Sequence, residues 1–169
     1  MKKLSLLFVL FITISTARAQ DYNNGIGLRL GGISSGITFK HFMNSDAALE
    51  GILGWGRHAI FITGLYEKHA AFGNAQGLYW FYGGGAHIGF YNDDYGYAYF
   101  RYYKKKNVVY VNENYHQSNI SLGGDFILGL EYKFDGAPLT LGLDVKPVID
   151  IVPGFYGYFD GAFTVRFTF

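Results

Sequence analysis

Residues 120–134 constrain the fold more than any other stretch of the chain. Ile120, Leu122, Phe126, Leu128, Leu130, Tyr132 and Phe134 share one parity with Gly124, while Ser121, Gly123, Asp125, Ile127, Gly129, Glu131 and Lys133 take the other. One face is apolar and uncharged, and the other carries three acids or bases besides its small residues. Side chains alternate between two faces only on an extended backbone, so this is a strand dividing an apolar from a polar region. Asp135-Gly136-Ala137-Pro138 follows, a tight turn by composition, and the alternation resumes. Leu139, Leu141, Leu143, Val145 and Ile149 oppose Thr140, Asp144, Lys146 and Asp150; later Phe163, Val165, Phe167 and Phe169 oppose Ala162, Thr164, Arg166 and Thr168.

Five earlier segments follow the same rule: 26–32, 36–42, 48–56, 59–69 and 77–91. No window after residue 20 holds a helical apolar repeat through three turns. Gly, Tyr and Phe are mediocre to poor helix formers, and the chain has 24, 15 and 16 of them. The expectation is an all-β chain of eight strands. The connections are short at 43–47, 70–76 and 135–138; on the other rim 92–119 is long and 152–159 moderate, with 33–35 and 57–58 short. This pattern predicts an antiparallel up-and-down barrel with a long loop between its fifth and sixth strands.

The first 19 residues read as a secretory signal. Lys2 and Lys3 precede an apolar run at 4–14, and Ala17-Arg18-Ala19 forms a small-residue cleavage site. The run is too short to span about 30 Å of hydrocarbon. Gln20 would begin the mature domain, 20–169. Cleavage takes three bases, so the 14 Lys and Arg become 11 against 13 Asp and Glu, a net charge of −2. That balance gives no support for nucleic-acid binding. With no Cys, disulfides and thiolate metal sites are excluded.

Alternation alone leaves open whether the apolar face points into a soluble barrel or outward to lipid. Export, an apolar parity nearly free of charge (Lys68 at a strand end excepted) and aromatics near strand ends favour lipid, because amphipathic rings belong at the two membrane interfaces. Tyr66, Trp80, Tyr132, Phe134, Phe167 and Phe169 would mark one rim, Trp55 and Phe90 the other. The expected lumen set is then Arg29, Lys40, Lys133, Lys146 and Arg166 with Glu50, Glu67, Asp125, Glu131, Asp144, Asp150 and Asp160. Eight strands leave room only for side chains, so a plugged barrel held by ion pairs is expected. A soluble lipocalin-like carrier would instead bury the aromatic face and expose the charges.

The signal peptide, the eight alternating strands and the terminal Phe169 resemble the small outer-membrane β-barrels of Gram-negative bacteria, of the OmpA/OmpX type. The segments 36–42 (GITFKHF), 82–91 (YGGGAHIGFY) and 123–132 (GGDFILGLEY) are similar to short porin-like barrels of Bacteroidetes. The resemblance covers the mature chain and identifies no chemistry. It implies a transmembrane barrel in the cell outer membrane, in contact with lipid and lipopolysaccharide, monomeric, with termini in the periplasm and the long loop outside.

Within 92–119, two β-prone arms flank a lysine-rich turn, which predicts a hairpin above the rim. Tyr97, Tyr99, Tyr102, Tyr103, Lys104, Lys105 and Lys106 are its candidate contacts for a surface partner. Catalytic, cofactor and metal sites are not expected. Gly83-Gly84-Gly85 lacks the Lys-Ser/Thr of a phosphate loop and fits a bend or close approach. The five His are scattered. Some barrels of this size modify lipids, and Ser121, His87 and Asp125 are the one set that strand parity offers as nucleophile, base and orienter. The principal reading is a non-enzymatic outer-membrane barrel, structural or acting in surface interaction through the loop.

Overall fold

The computed structural model describes residues 22–56, 59–91, 100–102, 109–111 and 120–169, the two short internal pieces as backbone only. The proposed signal peptide lies outside these residues. The described chain is all-β: β1 Asn24–Gly31, β2 Ser35–Phe42, β3 Ala47–Trp55, β4 Ala59–Ala71, β5 Leu78–Tyr91, β6 Phe100–Tyr102, β7 Val109–Val111, β8 Ile120–Lys133, β9 Leu139–Val152 and β10 Tyr156–Thr168. Eight of them close an antiparallel barrel in the order β1-β10-β9-β8-β5-β4-β3-β2. β6 and β7 pair with each other as a separate two-stranded sheet, Phe100 opposite Val111 and Tyr102 opposite Val109. The hairpin expected in the long loop therefore exists at its two arms.

Closure is made by β1 on β10, from Gly25 opposite Thr168 to Gly31 opposite Ala162. A closed ladder leaves no sheet edge along the wall. The turns at 43–46, 72–77 and 134–138 lie at the same end as residues 22–23 and 169. The Asp135-Gly136 turn depends on a left-handed backbone: Gly136 has φ +82°, where a Cβ would be strained. The triple glycine is unbulged, with Gly83, Gly84 and Gly85 opposite Glu67, Tyr66 and Leu65. It is a close approach. A Cβ on Gly85 would sit 1.8 Å from the Gly64 carbonyl oxygen, so the wall curls tightly only where that atom is missing.

Most strand ends lie within two residues of the sequence expectation; two departures are larger in effect. β9 runs to Val152 and β10 starts at Tyr156, so the connection shrinks from 152–159 to 153–155. The pairing of β8 with β9 shifts between Leu122 and Gly123, whose partners are Val152 and Asp150. Ile151 is the extra residue, and it and Val152 both face outward. A bulge breaks the period of two at that point.

The wall is inside-out relative to a soluble domain. Phe126 is 58% exposed and Leu143 62%, and the outward positions of the other barrel strands are apolar too. The interior is charged. Its only apolar cluster among the described residues is Ile52, Leu65, Phe81 and Ile127, on the four adjacent strands β3, β4, β5 and β8.

Candidate functional site

The lumen is the site. Polar parity turns Arg29 inward on β1, Lys40 on β2, Glu50 on β3, Glu67 on β4, Asp125 and Glu131 on β8, Asp144, Lys146 and Asp150 on β9, and Asp160 and Arg166 on β10; all are buried. Among the described residues these are four bases and seven acids. Register, which parity cannot supply, sorts them into three groups.

The first lies toward the turn end. Arg166 donates from Nη1 to Glu131 Oε2 at 2.7 Å and from Nη2 to Glu50 Oε1 at 2.5 Å. The Lys40 ammonium, fully buried, sits 2.7 Å from Glu67, 3.2 Å from Glu50 and 3.5 Å from Glu131. It also lies 4.4 Å from the centre of the Phe81 ring, a cation–π placement. Thr38 donates to Glu50. Two bases thus hold three carboxylates, and each acid accepts at least one charge-assisted bond, which is what makes burial tolerable.

The second group is a fork. Arg29 Nη1 lies 2.7 and 2.6 Å from the two oxygens of Asp144, and Nη2 is 3.6 Å from Asp160. Asp160 also accepts from the Ile33 amide at 3.0 Å and the Ser34 hydroxyl at 3.0 Å, tying down the β1–β2 connection.

The third group centres on His87. Its Nδ1 is 2.6 Å from Asp125 Oδ2 and its Nε2 is 2.7 Å from Asp150 Oδ1; Lys146 donates to the other Asp125 oxygen at 2.5 Å. Both ring nitrogens of His87 are thus taken up by carboxylates. This bears on the Ser121–His87–Asp125 set. His87 and Asp125 do meet, but the second ring nitrogen faces Asp150, and among the described residues the buried Ser121 hydroxyl has no hydrogen-bond partner. Nucleophilic activation needs the base's free nitrogen on the hydroxyl, and that bond is absent here.

Lys133 departs from its group. It lies half-buried at the turn-end mouth, its ammonium 5.2 Å from the centre of the Tyr22 ring. Two participants were not anticipated. Tyr22, upstream of the first expected strand, folds over the mouth and donates to Glu131 Oε1 at 2.5 Å. Burial beside that carboxylate raises its phenol pKa. His69 approaches Glu67 at 3.0 Å and stacks on Phe81 with ring centres 5.1 Å apart. Its parity matches Glu67 two residues earlier, which was the available signal. Tyr22, Phe42, His69 and Phe81 form a chain of ring contacts across this end. Phe61, His87 and Tyr91 do so at the other. The charges are enclosed between two aromatic layers.

On the outer wall, Trp55, Ile60, Phe90 and Ile120 form a cross-strand row toward the loop end. Stacked or edge-on pairs Trp80–Tyr82, Tyr132–Phe134 and Phe167–Phe169 lie toward the turn end. Lys68, the one Lys or Arg of the apolar parity among the described barrel residues, pairs with Asp46 at 2.9 Å beside the turn. Of the candidate loop contacts, Tyr97, Tyr99, Tyr103, Lys104, Lys105 and Lys106 lie outside the described residues, and Tyr102 is placed only as the end of β6. No protein-family model and no curated protein matches the chain.

Proposed function

We propose that this chain is an outer-membrane β-barrel without enzymatic activity, serving a structural or surface-interaction role through the loop 92–119. The observation that carries the reading is the inversion of the barrel: charge enclosed, apolar side chains outward around the wall. Soluble monomers seldom expose contiguous apolar patches beyond a few hundred Å², and this face continues across eight strands between two aromatic zones. Hydrocarbon is the solvent that favours it, and only a closed ladder satisfies the backbone there. A lipocalin-like carrier needs the opposite sidedness.

The filled lumen favours a non-conducting barrel over a pore. The engagement of both His87 nitrogens by carboxylates weighs against the lipid-modifying alternative. Termini and short turns would face the periplasm, with the β6–β7 hairpin outside among lipopolysaccharide head groups or a surface partner. The barrel would be a monomer, since the ladder is already closed. Membrane fractionation combined with a gel comparing heated and unheated samples tests this. Recovery in the outer-membrane fraction with a heat-dependent shift is expected; recovery in the soluble periplasm would overturn it.

A further inference from the structure

The turn-end mouth holds a cleft of about 470 Å³, lined among others by Tyr22, Phe42, Met43, Tyr79, Glu131 and Lys133. That volume lies within the range of small-ligand sites, roughly 300–1,000 Å³. We propose that it binds a small organic anion, a carboxylate on a flat or apolar body, with Lys133 as its counter-charge.

The argument is one of charge pairing. The buried bases Arg29, Lys40, Lys146 and Arg166 each have a carboxylate within 4 Å. Lys133 is half-buried and charged, yet among the described residues its ammonium lies over the Tyr22 ring and has no carboxylate within 4 Å. Glu131, the acid in the lining, is not its partner. One oxygen accepts from Tyr22 and the other from Arg166, with Lys40 at 3.5 Å. The charge of Glu131 is thus met from inside the barrel, and Lys133 faces the cleft uncompensated. An arriving cation would find only an occupied carboxylate; an anion would find a free ammonium in a partly desolvated setting, where a charge-assisted bond is strong. The Tyr22 and Tyr79 rings with Phe42 and Met43 supply the surface for the ligand's body. The inference concerns the end of the barrel opposite the long loop and does not depend on what that loop binds.

The full barrel in detergent micelles is titrated by ligand-observed NMR with benzoate, benzamide and benzylamine, which share a ring and differ in charge. Benzoate is expected to bind saturably, about tenfold more tightly than benzamide, with benzylamine weakest. Lys133→Met keeps the stem and removes the charge, and should bring benzoate down to the benzamide level. Ser45→Trp, at an exposed lining position outside the charge network, should block both probes by filling the mouth. A heat-shift gel establishes that each variant is folded. Equal binding of benzoate and benzamide to the unaltered chain, undiminished benzoate binding by Lys133→Met, or no saturable binding of any probe would overturn the proposal.

Discussion

Replacing Arg166 by Met tests whether the lumen is a dry, paired network. Arg166 is 2% exposed and bridges Glu131 and Glu50 at 2.7 and 2.5 Å. Methionine fills most of the stem volume but leaves two carboxylates without their shared guanidinium. Breaking a buried ion pair from one side costs about 3–5 kcal/mol, because the abandoned charge stays desolvated. Lys40 remains near both acids, at 3.2 and 3.5 Å, so the lower end of that range is expected. The assay is urea unfolding of the refolded barrel in lipid vesicles, followed by the heat-dependent gel shift. A companion variant adds Glu50→Gln and Glu131→Gln. The amides still accept from Thr38 and Tyr22, Lys40 keeps Glu67, and stability should return to within about 1 kcal/mol of the unaltered protein. Loss of under about 1 kcal/mol for Arg166→Met is the behaviour of a solvated surface pair. That result, or a companion variant no better than the single one, would refute the reasoning.

Other expectations follow from the same geometry. Leu128→Arg places a charge on the outward face and should destabilise the barrel in lipid by about 2–4 kcal/mol if that position lies near the bilayer midplane, read by the same unfolding assay; no loss would point to water outside. Gly85→Val should largely abolish the heat-resistant form, since a Cβ there meets the Gly64 oxygen at 1.8 Å. Tyr22→Phe removes the bond to Glu131 and should lower the urea stability by about 1–3 kcal/mol. Deleting residues 98–110 should leave the folded band intact and reduce binding to cell surfaces, measured with purified protein on intact cells; unchanged binding would remove the loop from the proposed role.

Strand existence and sidedness were legible because one face of every barrel strand is apolar and the other encloses the charges, and a single slip in register would invert them. The 120–134 segment shows this best: each of its outward positions was readable from alternation. What alternation lacks is depth. It placed His87 and Asp125 on facing parities but gave no sign that Asp150 would take the second imidazole nitrogen. It put Lys133 in the lumen set, whereas the strand's last inward position opens onto the mouth. The start of β10 was hidden because Tyr156-Gly157-Tyr158-Phe159 mixes glycine with aromatics on both parities. The bulge at Ile151 was hidden because Ile149, Ile151 and Val152 look equally apolar. Tyr22 precedes any alternating run, so only the fold brings it to Glu131.

The central claim is the direction in which the wall faces. It is tested most directly by spin-label accessibility along β9, in a chain whose lack of Cys makes every introduced label unique. Labels at Leu143 and Val145, reconstituted in lipid vesicles, should collide readily with oxygen dissolved in the acyl chains and hardly at all with a polar nickel chelate. Labels at Thr140 and Val148, which face the filled lumen, should be shielded from both. Strong collision of the chelate at Leu143 and Val145 would mean that water covers the apolar face, and would contradict the account.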